Sequence, residues 1–216
     1  MKIFLENFKE KRMLFIGGTS CDGKTTISKN IQYLVPNSYI FKMDIILCRL
    51  TYKRERVNKE INSENLSYIE RCYLNEFDDK LPYEIPKYLF NIQDNKVINY
   101  YKDFYNWLID FMNREENKNI YVIIEGCDID NLGTDFYIKN KIPLIILETP
   151  LLITIYRRIK RKYNYYRKLK NYSEYSKIKI LFISILNQMK KLKEIICLCN
   201  RRNRFIKQIS RGIYYE

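Results

Sequence analysis

An α/β protein is predicted, a three-layer α/β/α arrangement with a parallel sheet between helices. Three observations point to it. Strand-like apolar runs alternate along the chain with stretches of helical periodicity, as in consecutive βαβ units. A glycine-rich loop, Gly18 to Thr25, lies between one such run and one such stretch. Two of the runs end on a carboxylate, Asp44 and Glu125, where an open parallel sheet gathers its ligands. The 216 residues are most simply one domain, 1–216, with a substantial core.

The elements follow in order. Met13 to Ile16 reads as a buried strand and Thr25 to Val35 as a helix, broken at Pro36 because proline cannot continue it. Tyr39 to Met43 is a second strand ending at Asp44. The polar segment 51–99 holds a helix around Glu64 to Phe77 and a proline-containing stretch, Leu81 to Pro86. It is a candidate acceptor-binding insertion, with a plain surface insertion as the alternative. Phe104, Trp107, Leu108 and Phe111 recur at helical spacing, so one face of that helix packs on the sheet. A charged turn, Arg114 to Asn119, precedes the clearest strand, Ile120 to Ile124, which ends at Glu125-Gly126. Leu144 to Leu147 is a further strand, and Thr149-Pro150 opens a helix, proline suiting a first turn. Its expected buried stripe is Leu152, Ile155, Tyr156 and Ile159, with Arg157, Arg158 and Arg161 on the other side. A last long helix, Ser173 to Leu198, is expected to bury Ile178, Leu181, Ile185, Met189, Leu192 and Ile196, and Phe205 to Ile209 could add an edge strand.

Composition narrows the chemistry. Apolar residues make up 46%, which argues against global disorder. There is no histidine, so Ser-His-Asp and Cys-His catalysis are excluded and any general base is Asp, Glu, Lys, Tyr or Cys. The six cysteines are scattered, and Cys197-x-Cys199 has no second pair. Reduced thiols are expected, not a disulfide framework or a structural zinc site. Met1 to Arg12 is charged throughout and the longest apolar runs are short; no membrane association and a cytoplasmic location are expected. The net charge of +14 is uneven: Arg157 to Gly212 carries 18 Lys and Arg against two Glu. That quarter could bind nucleic acid; an anion-handling lid with a solvated face, or a lysine-rich compositional bias, would leave the same trace.

From Gly18 the loop reads Gly18-Thr19-Ser20-Cys21-Asp22-Gly23-Lys24-Thr25-Thr26, which fits G-x-x-x-x-G-K-[ST], the phosphate-binding P-loop. Glycines let the backbone wrap a polyphosphate, and loop amides plus the helix N-terminus direct partial positive charge at it. Lys24 would reach the β- and γ-phosphates, and Thr25 would bind Mg²⁺. Glu125 would hold Mg²⁺ through water, as a Walker B acid; an ordinary strand-end carboxylate is the alternative. Asp44 is placed to orient or deprotonate an acceptor hydroxyl, or to cap the helix beginning at Ile45. Asp128 is a weaker candidate. Arg157 and Arg161, at i and i+4, share a helix face, and Arg158 neighbours Arg161. Their planar forks suit phosphate oxygens. Residues 157–170 form a candidate lid.

These motifs together resemble the P-loop nucleoside and nucleotide kinases, most of all the uridine kinase/phosphoribulokinase-like group. Gly17 to Thr26 is similar to that group's GGSGSGKTT loop, Met43-Asp44 to its catalytic acid, Ile123 to Gly126 to its acidic strand end, and Arg157 to Arg161 to the arginine-rich start of its lid. The resemblance spans about Arg12 to Lys168. It implies a P-loop NTPase sheet ordered 2-3-1-4-5, ATP with Mg²⁺, and a closing lid. Cys21-Asp22 and Lys162 depart from the group's pattern, the first by bringing a negative charge into the loop. The function expected is transfer of the ATP γ-phosphate to a small-molecule acceptor, with Lys24, Asp44, Arg157, Arg158 and Arg161 catalytic. A kinase acting on nucleic acid and a nucleotide-binding regulator without transferase activity are the alternatives. Arg201 to Arg204 could flank the base.

Overall fold

The computed structural model describes residues 2–43, 45, 66–77, 95–127, 129–169, 172 and 175–213. Asp44, Asp128 and most of 51–99 lie outside the described residues. In chain order the elements are α1 (Lys2–Lys11), β1 (Met13–Gly17), α2 (Lys24–Leu34), β2 (Ser38–Lys42), α3 (Tyr68–Phe77), α4 (Asn95–Asn113), β3 (Tyr121–Gly126), α5 (Thr134–Lys139), β4 (Leu144–Ile146), α6 (Leu151–Lys168), α7 (Lys177–Lys190) and α8 (Leu192–Ile213). Among the described residues one four-stranded sheet forms, ordered β2-β3-β1-β4, and every pairing in it is parallel.

Strand alternation divides the core in two. Met13 and Phe15 of β1 face one side, with Phe41, Val122 and Ile124, against α4, α5 and Phe205 of α8. Leu14 and Ile16 face the other, with Ile40 and Ile123, against Phe8 of α1 and Ile27 and Ile31 of α2. β1 and the β3 interior are fully buried, as strands covered on both faces must be, which is why they read as unbroken apolar runs. The predicted spacing on α4 holds: Phe104, Trp107, Leu108 and Phe111 are all buried, and Phe41, Tyr73 and Trp107 ring Phe104.

The outer strand β2 is pinned by the start of α3. The Ser67 hydroxyl accepts from Glu70 N (3.3 Å) while Ser67 N donates to Glu70 Oε2 (2.8 Å), a reciprocal capping box. Two side-chain bonds then reach the strand: Ser67 Oγ donates to Ile40 O (2.7 Å), and Lys42 N donates to Glu70 Oε1 (2.9 Å).

The C-terminal third differs from expectation in three ways. Phe205 to Ile209 is helical, part of α8: Ile195, Cys199, Arg202 and Phe205 are buried at helical spacing, so no strand forms there and the five-strand order is not reproduced. The single helix over 173–198 is two, separated at Lys191 (φ −99°, ψ 5°); no glycine or proline marks the break. The apolar stripes hold only in part. On α7 the buried residues are Ile180, Ser184 and Gln188, while Ile178, Leu181, Phe182 and Met189 are exposed. On α6 Thr154 and Tyr166 are buried, Ile155 and Ile159 are half-buried, and Leu152 and Tyr156 are exposed. Docking of α6 on α7 chooses these faces: Asn187 Nδ2 donates to Tyr166 Oη at 2.9 Å, and the small Ser184, bonded back to Ile180 O (2.7 Å), admits close approach.

Candidate functional site

The loop between β1 and α2 crosses the C-terminal ends of the strands. Gly23 is the N-cap of α2 with φ 94° and ψ 15°, a left-handed conformation that glycine adopts without strain. Cys21 also has positive φ, 75°, which a side chain tolerates only where its surroundings hold it. Thr26 N and Ile27 N both donate to Gly23 O at 3.1 Å, closing the first turn of α2.

Register explains why Glu125 meets this loop. Glu125 pairs with Ile16 on one side and Lys42 on the other. It lies two residues beyond Ile123 and so shares the α2 side of the sheet. There its Oε1 accepts from the Thr25 hydroxyl (3.0 Å) and its Oε2 from the Ser28 hydroxyl (2.7 Å). The carboxylate is buried, 5% exposed. Thr25 and Glu125, the two residues predicted to hold Mg²⁺, are thus in contact. A hydroxyl and a carboxylate form a hard oxygen set that suits Mg²⁺ when phosphates and water complete it. Among the described residues no cluster of three or more Cys, Asp or Glu could hold a metal ion alone.

Lys24 Nζ donates to Gly18 O (3.0 Å), Thr19 O (2.9 Å) and Cys127 Sγ (3.3 Å). Arg157 Nη1 donates to Cys21 O (3.2 Å) and Arg161 Nη2 to Ser20 Oγ (2.9 Å), so the two arginines at i and i+4 both reach the loop. An open cleft of about 580 Å³ results, lined by Ser20, Cys21, Gly23, Lys24, Thr25 and Thr26 from the loop and α2, with Lys42, Glu125, Cys127, Arg157 and Arg161. Four cations face one carboxylate there, an arrangement for anionic groups. Arg158 does not line this cleft; it is turned to the α7 side of α6. Asp44 directly follows Met43, whose N donates to Glu125 O at 2.8 Å, and is itself outside the described residues.

Asp22 is turned inward. Its Oδ2 accepts from Thr19 N (2.6 Å) and from Arg202 Nη1 (3.1 Å), and its Oδ1 from the Thr154 hydroxyl (3.4 Å). Arg202 Nη1 also donates to Thr149 O (3.3 Å). Both side chains are almost completely buried. The negative charge in the loop is therefore neutralised from α8 and does not face the cleft. Gly18 and Thr19 form the same inner side of the loop, over a small cavity shared with Asp130, Arg201 and Arg202. Arg201 is ion-paired with Asp130. Burial holds the Asp130 carboxyl above the usual carboxylate range, with the Arg201 guanidinium pulling the other way.

Sequence reasoning missed Ser28, Lys42 and Cys127, and it offered Arg202 as a flank for the base, not as the partner of Asp22. Ser28 had a signal, since it lies one helical turn from Thr25 on the same face. Lys42 and Cys127 flank the two strand ends already singled out. The Asp22–Arg202 pairing had none. Compared with models of known families, with curated proteins and with solved structures, the chain matches none.

Proposed function

We propose that this protein is an ATP-dependent phosphotransferase of the P-loop NTPase type, acting on a hydroxyl or phosphate of a small molecule, with nucleosides and nucleotides as the acceptor class. The observation that carries the reading is the meeting of Lys24, the Thr25–Glu125 pair, Arg157 and Arg161 on one cleft at the C-terminal ends of parallel strands. Mg-ATP, when bound, supplies the phosphoryl group and much of the charge neutralisation. The protein's own part is positioning and electrostatics. Lys24, Arg157 and Arg161 bring three positive charges to the phosphates, Thr25 and Glu125 offer oxygen ligands to Mg²⁺, and Ser28 holds the carboxylate in place. Asp44, at the exit of β2, is assigned the acceptor hydroxyl. The cytoplasmic location expected from the sequence belongs to this proposal; among the described residues no helix is long and apolar enough to cross a membrane.

The regulatory reading without transfer rests on the altered loop at Cys21-Asp22; of its two departures, the Asp22 charge is paired with Arg202. The test is transfer of labelled γ-phosphate from Mg-ATP to a panel of nucleosides, nucleoside monophosphates, small sugars, vitamins and 5′-hydroxyl oligonucleotides. Wild type is expected to yield a labelled product, Lys24→Ala none, and Asp44→Asn much less product with ATP binding retained. Full turnover in Asp44→Asn removes Asp44 from the chemistry, and ATP binding without transfer to any acceptor overturns the kinase reading.

A further inference from the structure

The phosphate cleft does not end at Arg161. The same arginine also lines a recess between α6 and α7. This recess, of about 410 Å³, is bounded by Arg158, Arg161, Lys162, Tyr165, Gln188 and Lys191 among others, none of them a carboxylate. Two residues on from Lys191, a second open groove of about 750 Å³ runs along α8 past Lys193, Asn200, Arg204 and Lys207, again without a carboxylate. A mixed solvated surface would intersperse acids among so many bases. Here four cations line a recess that meets the loop cleft at Arg161, and three more line the separate groove on α8.

Two features make the first recess more than a field of charge. Arg158 Nη1 and Gln188 Oε1 are buried and lack a hydrogen-bond partner, although Gln188 as a whole is 8% exposed. A buried donor and a buried acceptor left unmatched are costly; a ligand that both accepts and donates would satisfy them. The second feature is aromatic. Lys162 Nζ lies 4.7 Å from the Tyr165 ring centroid and 4.8 Å from that of Tyr166. Tyr165 is 52% exposed, so part of its ring is open to stacking.

We propose that this recess is a track for a single strand of nucleic acid, its phosphates on Arg161, Lys162 and Lys191 and a base at Tyr165, with Arg158 and Gln188 meeting polar groups of the bound nucleotide. Spaced cations beside an aromatic platform are the elements of sequence-tolerant strand binding. An anionic membrane is the competing partner for a basic surface. A flat lipid plane would not follow a recess of about 410 Å³ sunk between α6 and α7, and this favours the strand. Binding along the track needs no ATP and stands apart from the phosphotransfer reading.

The experiment is fluorescence anisotropy of a labelled 5′-hydroxyl DNA strand of about 20 nucleotides, titrated with the full chain in the absence of nucleotide over a salt series. The expected result is saturable binding that weakens steeply with salt. Lys162→Glu with Lys191→Glu should weaken it about tenfold or more and lower the salt slope by about one to two. Tyr165→Ala should weaken it several-fold with the slope unchanged, because stacking releases no counterions. Lys9→Glu, an exposed reversal on α1, should change it less than about twofold. Thermal melts of each variant separate lost binding from lost fold. The proposal is overturned by no binding at about 50 mM salt, by an equal loss in Lys9→Glu, or by capture on phosphatidylserine vesicles in place of the strand. Because no ATP is present, failure here leaves the transferase assay untouched, and the reverse holds as well.

Discussion

A carboxylate in the middle of a phosphate-binding loop would repel its ligand if it faced the cleft. In this protein Asp22 does the opposite work, bracing the loop from inside through Thr19 N and docking it on Arg202 and Thr154. The physics of buried pairs makes the arrangement testable. Removing one partner strands the other charge in a dry site, at a cost of about 3–5 kcal/mol, whereas replacing both by apolar or neutral groups is often close to neutral. Arg202→Met alone is therefore expected to lower unfolding free energy by that order and to weaken ATP binding through the loop. Asp22→Ser combined with Arg202→Met should recover much of the loss. Denaturant unfolding of the two single variants and the double variant measures the coupling; strictly additive losses would show that the pair does not hold the loop.

At the scale of elements, the end of β2 depends on a helix that begins 26 residues after it. Glu70 is 1% exposed and accepts from the amides of Lys42 and Ser67 at once. Glu70→Ala leaves two part-buried amides without acceptors, a cost of roughly 1–3 kcal/mol each at most. Hydrogen exchange at the Lys42 amide should accelerate while exchange in β1 stays slow; unchanged protection at Lys42 would mean that the strand end is held by other contacts. The β2 exit matters for function because Lys42 lines the cleft. Its neighbour β3 approaches closely as well: a Cβ on Gly126 would lie 2.6 Å from Met43 Cβ, so glycine after Glu125 lets the two strand ends converge.

For the whole molecule the decisive quantity is where charge lies. The chain carries +14, and α6, α7 and α8, which pack on one another, hold 16 Lys and Arg against one Glu, so the net charge is concentrated on them. Repulsion among these helices acts over a Debye length of about 30 Å at 0.01 M salt and about 10 Å at 0.1 M. Raising salt across that range is expected to raise Tm, because screening relieves the compact state more than the expanded one. A Tm that falls with salt would show that attractive pairs such as Asp22–Arg202 outweigh the repulsion. The same helices leave Ile178, Phe182 and Met189 exposed, so their apolar pattern is a poor guide to which side is buried.

What could be read in the chain is what lies close together in it. β1, the loop, α2 and the Glu125-Gly126 strand end are each specified within a dozen residues, by an apolar run fully buried on both sides or by glycines at fixed offsets. Their contents survive in the structure almost residue for residue, and the sheet order 2-3-1-4 follows the expected sequence of strands as far as β4. The arginines at i and i+4 also reach the loop, since helical spacing alone puts them on one face. Tertiary structure decided the rest. Asp22 and Arg202 are 180 residues apart, and nothing local distinguishes an arginine that docks under the loop from its solvated neighbours. Phe205 to Ile209 is apolar enough for a strand, but Ile195, Cys199 and Arg202 before it continue one helical face, and packing against the sheet selects that period. On α7 the docking partner, not the hydrophobic pattern, chose the buried side: close approach to α6 needs Ser184 more than it needs Leu181, and burial follows where helices can approach.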